Sequence, residues 1–413
     1  MIPRMKPKNP EPQREKNQKY QPKNKPNQGQ TFDKAQGKRP QISQMQTNRG
    51  EAIRAGRRNF ETADKAVDRW NVFEKHHEKS ANFIPLSEPD RLRVTFLGGL
   101  EGIGVPVVRS EDARRAYALA SAAFWGKQPD MCVAVTGTNG KTSVAGFCRQ
   151  IFAKLGHKAA SMGTLGVVVS QPGQADQQLT PPGLTTPDAG DVAEMIARLA
   201  DMGVTHLALE ASSHGVDQRR IDGVKLRAAG FTNFTQDHLD YHGSMEAYRA
   251  AKLRLFDTLT PNGATAVLNA DSEAFPNFAA AAVTSGQSVF SVGEDGQGLR
   301  LVSRTPTPEG QRLLVEAGDE TYDIRLPLAG AFQASNVLVA AGLCIAAGED
   351  VAKVLKALES LEGAAGRLQR VGRGPHGGEA YVDYAHTPDG LQTVLEALRP
   401  HTAGKLIAVF GAG

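Results

Sequence analysis

The run Thr136-Gly137-Thr138-Asn139-Gly140-Lys141-Thr142-Ser143 constrains this chain more than any other stretch. An apolar segment, 131–135, precedes it and reads as a buried strand. The segment that follows, 144–152, reads as a helix. Strand, glycine-rich turn and helix are the setting of a phosphate-binding loop. The glycines let backbone N–H groups close around phosphate oxygens, and the helix N-terminus adds partial positive charge. Lys141 can reach a β/γ-phosphate and the Thr142 hydroxyl can bind Mg²⁺. The competing reading is a glycine-rich turn with an exposed lysine. Gly-Lys-Thr stands where the phosphate-loop pattern puts it, which favours the functional reading. The spacer between the glycines is two residues, Thr138 and Asn139, where the general pattern has four.

Charge divides the chain of 413 residues, long enough for two or three domains. Residues 1–50 carry 12 Lys+Arg against 3 Asp+Glu, +9, so with a total of +4 the remainder sums to −5. That tail is rich in Lys, Gln, Asn and Pro, and cannot bury enough apolar surface to offset its ordering entropy. The expectation is a disordered basic tail over 1–60, either a plain solvated tail or one that binds RNA or acidic lipid. A short helix at 62–77 and a strand at 93–97 are expected within a segment, 61–104, of different character. The cysteines, Cys132, Cys148 and Cys344, show no CxxC pairing and read as buried thiols of a reducing, cytoplasmic compartment. No apolar run approaches the roughly 18–20 residues of a membrane span, and no signal-peptide core is seen.

From about residue 105 helix and strand signals alternate. Strands are expected at 131–135, 165–169, 205–209, 228–231, 264–268 and 287–291. Helices are expected at 113–124, 142–155, 188–202, 245–258, 334–347 and 350–360. The pattern predicts an α/β fold with a mainly parallel sheet covered on both faces, over 105–360. A second unit, 361–413, has a strand at 379–383, a helix at 388–398 and a strand at 405–410. It ends on a strand and a glycine-rich turn, an arrangement that usually feeds a helix.

Four further features carry chemistry. Glu210 ends an apolar strand, where open α/β sheets place ligands, and either binds Mg²⁺ or belongs with Ser212 and Ser213 to a helix cap. Asp237, His238, Asp240 and His242 are either a metal or proton-transfer site or a solvated loop. Lys252 lies inside a helical stretch and, alone, reads as a surface lysine. Arg367, and Asp383 with His386 before Pro388, put polar groups where a strand end meets a helix N-terminus, which suits an anion.

Together these segments resemble the Mur ligases, ATP-dependent amide-forming enzymes of peptidoglycan synthesis. The resemblance rests on TGTNGKTS, TTPD at 185–188, EASSHGVDQRR at 210–220, DHLDYHGSMEAYRAAK at 237–252, GAFQASN at 330–336, and GRLQRV followed by YVDYAHTPD. It covers about 105–413, is strongest to the branch that adds the third amino acid to UDP-N-acetylmuramoyl-L-alanyl-D-glutamate, and has the two-residue loop spacer as its own form. It implies a central phosphate-loop ATPase-like domain and a C-terminal α/β domain. ATP would sit on residues 137–143. Thr142 and Glu210 would hold one Mg²⁺, and His238 with a carbamylated Lys252 a second. Lys141, His238 and Lys252 would serve catalysis. Thr185, Thr186, Ser212, Gln218 and Arg220 would contact the UDP-muramoyl-dipeptide, Asn336 the base, and Arg367, Asp383 and His386 the nucleotide on domain closure.

The resemblance also implies small-molecule partners and a monomer without membrane attachment; a competing reading from the charge of the tail is a nucleic-acid-binding protein acting through it. Residues 1–104 do not match the family's uridine-binding domain and faintly resemble the start of ribonuclease J proteins, without that nuclease's metal-binding histidines. The chain lacks the family's Asp-Asn-Pro-Arg-type motif, which selects the third amino acid. ATP·Mg²⁺ binding is therefore expected, with weak or no amide formation. Folylpolyglutamate and cyanophycin ligases share the phosphate loop but not the SSHGVDQRR and DYHGSMEAYRAAK segments.

Overall fold

The computed structural model describes residues 108–411, except 375–376 and 386–387, and the strand Arg93–Val94, which pairs antiparallel with Val108–Arg109. The basic tail and the helix expected at 62–77 lie outside the described residues, as does any nucleic-acid contact through that tail.

In chain order the main elements are α1 (Ala113–Trp125), β1 (Met131–Thr136), α2 (Lys141–Lys154), β2 (Ala159–Gly163), β3 (Gly166–Ser170), β4 (Gln177–Thr180) and α3 (Ala189–Asp201). Then come β5 (His206–Glu210), α4 (Ser213–Asp217), β6 (Ala228–Phe231), α5 (Leu239–His242), α6 (Met245–Arg254), β7 (Thr265–Asn269), α7 (Phe275–Thr284) and β8 (Ser288–Gly293). The last group is β9 (Leu299–Thr307), β10 (Gly310–Ala317), β11 (Glu320–Leu326), α8 (Ala331–Ala346), α9 (Val351–Ala357), β12 (Gln369–Arg373), β13 (Glu379–Val382) and α10 (Pro388–Leu398).

Eleven strands form one sheet in the order β11-β10-β9-β8-β7-β6-β1-β5-β2-β3-β4. The strands from β9 to β2 are mutually parallel. Antiparallel flaps close both ends, β3–β4 at one and β10–β11 at the other. The parallel core agrees with the sequence expectation and the flaps add to it. β1 leads towards β2 on one side while β6 leads towards β7 on the other. The crevice between the C-terminal ends of β1 and β6 is thus a topological switch point, where open α/β sheets bind ligands.

Alternation along β1 divides the core. Val133 and Val135 face Phe147, Ile151 and Phe152 of α2 and Val337 and Leu338 of α8. Cys132 and Ala134 face Leu207, Ile196 of α3, Phe231 and Phe278 of α7. α2 and α8 pack so closely that Cys148 Sγ lies 3.7 Å from the Ala340 carbonyl, and all three cysteines are buried and free. The helix expected over 245–258 is α-helical only to Arg254 and continues as a π-turn at Leu255–Leu259.

The C-terminal unit has the β12–β13 hairpin and α10 around Leu368 and Leu398, packed against Ala329. His401 fastens it: Gly330 N donates to Nε2 at 3.0 Å, so Nδ1–H donates to the Thr307 carbonyl at 3.0 Å. The strand expected at 405–410 does not form; Val409 is 95% exposed and, among the described residues, no neighbouring strand pairs with it. An apolar run becomes a strand only where a lateral partner takes its N–H and C=O groups.

Phe231 and Phe278 stack with centroids 3.8 Å apart. Phe278→Ala is expected to cost about 3–5 kcal/mol, read as a lower denaturant midpoint.

Candidate active site

The loop after β1 is shaped by contacts a side chain would destroy. Gly137 has φ 151° and a Cβ there would overlap the Thr232 hydroxyl just after β6. Gly140 has φ 90° and a Cβ there would overlap Asn336 Oδ1 on α8. Hydrogen bonds hold the loop against the β6 end: Thr138 N to Asn233 O at 2.9 Å, Asn139 N to Asn233 Oδ1 at 2.9 Å and Thr232 Oγ1 to Asn139 O at 2.6 Å. Ser143 is buried in the first turn of α2.

Lys141 folds back over the loop, donating to Gly137 O at 2.9 Å and Thr138 O at 2.8 Å. Burial holds its amine below the usual lysine range, against the opposing charges of Glu210 and Asp237; the Arg367 charge adds to the lowering. Lys252 donates to the same Gly137 carbonyl at 2.7 Å, and its Nζ stands 4.6 Å over the Tyr248 ring. It is 1% exposed, so the surface-lysine reading does not hold. Burial, with the Lys141 charge beside it, drives its amine well below the ordinary value. Tyr248, one helical turn before Lys252, reaches back to Thr138 Oγ1 at 3.2 Å.

Glu210, 3% exposed at the end of β5, accepts from Thr142 Oγ1 at 2.8 Å, Thr164 N at 2.8 Å and Thr164 Oγ1 at 3.2 Å. A Cβ on Gly163 would overlap its carboxylate. Burial raises its pKa, offset by the Lys141 charge and the Thr142 and Thr164 hydrogen bonds. The cap reading holds for Ser212, whose Oγ accepts from Gly215 N at 3.0 Å at the start of α4. A hydroxyl beside a buried carboxylate that lacks full charge compensation is an oxygen donor pair suited to Mg²⁺. The pair lines a cleft of about 760 Å³ bounded by α2, the β2–β4 flap and the segment from Ser360 to Gln369.

His238 has φ 50° and lies half-exposed, with Nε2 3.4 Å from Asp237 Oδ2. Its ring is 6.1 Å from Tyr248 and 4.9 Å from His214. His214 and His242 are pushed down, first by burial and then by neighbouring histidine charge. Lys141, Lys252 and Glu210 therefore gather around one loop, and His238 contacts the Tyr248 ring that Lys252 also meets.

The residues assigned to the dipeptide form one chain of hydrogen bonds beside it. Thr185 Oγ1 meets Thr164 Oγ1 at 2.9 Å, and Thr186 Oγ1 binds Glu210 O at 2.9 Å and Ser212 Oγ at 3.0 Å. Arg220 donates to Thr186 O at 2.6 Å and to Gln218 Oε1 at 2.7 Å. Gln218 donates to Tyr241 Oη at 3.0 Å, which donates to Asp217 Oδ2 at 2.8 Å. Asn336 is held by Gln333, which also donates to the Arg367 carbonyl at 3.2 Å. Arg367 lies over the Tyr384 ring at 5.4 Å. Asp383 accepts from Leu368 N at 2.6 Å and Ala385 N at 2.8 Å. His386 lies outside the described residues. Sequence reasoning missed Thr164, Thr232, Gln333 and Tyr248; only Tyr248, at helical spacing from Lys252, left a signal.

A nucleotide-binding α/β fold with a phosphate loop at its switch point is the class defined so far. A profile of the Mur ligase middle domain matches residues 135–344, and one of the Mur ligase, glutamate ligase domain matches residues 366–413. The chain belongs to the Mur ligase family. It is 92% identical over 316 residues, 76% of its length, to a Caulobacter vibrioides protein named UDP-N-acetylmuramoyl-L-alanyl-D-glutamate--2,6-diaminopimelate ligase, and spans 65% of that relative. A solved structure of an enzyme with that name matches with TM-score 0.64 and 29% identity, over 73% of this chain and 61% of the other. Mycobacterium tuberculosis folylpolyglutamate synthase complexed with ADP matches with TM-score 0.56 and 21% identity over 69% of each chain, a likeness of fold.

Gly140→Ala is expected to cost about 1–3 kcal/mol through left-handed strain, with more from displacing Asn336, read as a lower unfolding midpoint. Lys252 titrates at 10.5 when unfolded and lower when folded. Between those values the unfolded chain binds more protons, so stability rises with pH; below the folded value the burial penalty is complete. In CO₂-free buffer Lys252→Met should therefore be more stable than the wild type at neutral pH, with the gain vanishing as pH approaches 10.5.

Proposed function

We propose that this chain carries the ATP-dependent chemistry of peptidoglycan tripeptide synthesis: joining a third amino acid to UDP-N-acetylmuramoyl-L-alanyl-D-glutamate. The observation that supports it best is the phosphate loop clasped by two lysines, with a buried glutamate and threonine beside it. The third amino acid is assigned as 2,6-diaminopimelate from the name of the 92%-identical relative. The reaction belongs to a cytoplasmic monomer.

The loop amides and Lys141 bind the β- and γ-phosphates of ATP; their charge relieves the burial of the Lys141 amine. The substrate's terminal carboxylate attacks the γ-phosphorus, and the bond to ADP breaks. The amine of the third amino acid then attacks the acyl phosphate carbonyl, its N–H proton leaves to water, and the tetrahedral species expels phosphate to give the amide. Arg220 and Gln218, braced by Thr186 and Tyr241, orient the muramoyl-dipeptide with Thr185 and Ser212. Asn336 contacts the base, and Arg367, Asp383 and His386 complete the nucleotide site. Thr142 and Glu210 would hold one Mg²⁺, which when bound lowers the repulsion between phosphate and attacking carboxylate.

Burial pushes the Lys252 amine well below the ordinary lysine value, and in its unprotonated form it is a nucleophile for CO₂. Its nitrogen forms the C–N bond, a C=O electron pair moves to oxygen and the N–H proton leaves to water. The product is a carbamate, an oxygen donor that with His238 suits a second Mg²⁺.

Labelled nucleotide binding and phosphate release in the presence of UDP-MurNAc-dipeptide and diaminopimelate test this reading. Lys141→Ala is expected to weaken ATP binding by about 10²-fold or more, the scale of a lost charge-stabilising donor. Lys252→Ala should keep ATP binding and lose phosphoryl transfer, with no rescue by bicarbonate. Dipeptide-dependent phosphate release that survives Lys252→Ala undiminished contradicts the assignment.

A further inference from the structure

At the end of the sheet opposite the phosphate loop, three side chains converge. They are His157 before β2, His206 at the start of β5 and Glu349 after α8. Their ligand-capable atoms all lie within 4.8 Å of one another. His157 Nε2 is 2.8 Å and His206 Nε2 3.6 Å from the same oxygen, Glu349 Oε1. The imidazole rings are 3.9 Å apart. Among the described residues no other group of three His, Cys, Asp or Glu atoms closes in this way.

The surroundings orient these groups. His206 is 7% exposed, and its Nδ1 lies 2.8 Å from Thr205 Oγ1. That hydroxyl also lies 3.4 Å from the Lys158 carbonyl, and Nε2 is on the Glu349 side of the ring. A histidine whose second nitrogen is hydrogen-bonded is the usual arrangement of a metal ligand. Phe152, with its ring 4.6 Å from His206, walls the cluster on one side.

We propose that His157, His206 and Glu349 form a binding site for a divalent transition-metal ion of the Zn²⁺ class, with water as fourth ligand. Two imidazoles and a carboxylate favour zinc over Mg²⁺ or Ca²⁺, which take oxygen ligands. In a tetrahedron with bonds of about 2.0–2.1 Å the ligand atoms stand about 3.4 Å apart, and the observed separations of 2.8 and 3.6 Å bracket that. The His157 side chain is 33% exposed, which gives the ion an entry and the water its place. The ion ties the approach to β2, the start of β5 and the end of α8. β5 ends in Glu210 and α8 carries Asn336, so the site braces two elements that reach the phosphate loop. It requires no part of the ligase reading.

The test is titration of the metal-stripped full chain with Zn²⁺ and, separately, Co²⁺. The expected result is one equivalent bound, intense visible bands of tetrahedral Co²⁺, and a Zn²⁺-dependent rise in unfolding temperature. His157→Ala and Glu349→Gln, both at the solvent edge, should weaken binding by about 10-fold or more and abolish the thermal shift, by analogy with the 10–100-fold cost of losing even an outer partner. His238→Ala should leave the Co²⁺ bands intact. No tetrahedral Co²⁺ spectrum, or binding undiminished in both variants, would mean the cluster is only an ion-paired clamp and would overturn the proposal.

Discussion

Two amines donate to one carbonyl oxygen: Lys141 Nζ at 2.9 Å and Lys252 Nζ at 2.7 Å from Gly137 O. Two ammonium groups on one acceptor repel each other, and in a poorly hydrated site water cannot screen them. Lys252, 1% exposed, therefore has its amine driven well below the ordinary lysine value, while the charge of Glu210 partly offsets the same effect at Lys141. Much of the site follows from this asymmetry. On the proposed reading a triphosphate would offset the Lys141 charge, and CO₂ addition would make the Lys252 side chain anionic; either event would relieve the repulsion between the two amines.

The scaffold makes that pair possible. Gly137 must lack a side chain because the Thr232 hydroxyl fills the space, and Gly140 because Asn336 does. β1 delivers the loop, β6 supports it, α8 presses Asn336 against it and α6 brings Lys252 from below. Gly163 in β2 leaves room for the Glu210 carboxylate.

That same chemistry governed what could be read in advance. The phosphate loop and Glu210 were legible because glycine spacing and a strand-end carboxylate are local signals. The Ala-Ala-Ser-Met-Gly sequence of β2 was not, because small residues chosen for close approach lack strand propensity. The alternation in β10 (Leu313, Val315) and β11 (Ile324, Leu326) was available but went unread. The burial of Lys252 could not be seen, since a loop more than a hundred residues earlier in the chain creates it. The resemblance to Mur ligases placed that lysine in the site where the residue alone pointed to the surface. His157, His206 and Glu349 are likewise joined only by the fold.

The most direct measurement is the titration of the Lys252 side chain by ¹⁵N and ¹³C NMR in CO₂-free buffer, assigned through the signal lost in Lys252→Arg. A titration midpoint well below the ordinary lysine range is the predicted result. An amine that stays protonated up to the ordinary lysine range would contradict the account.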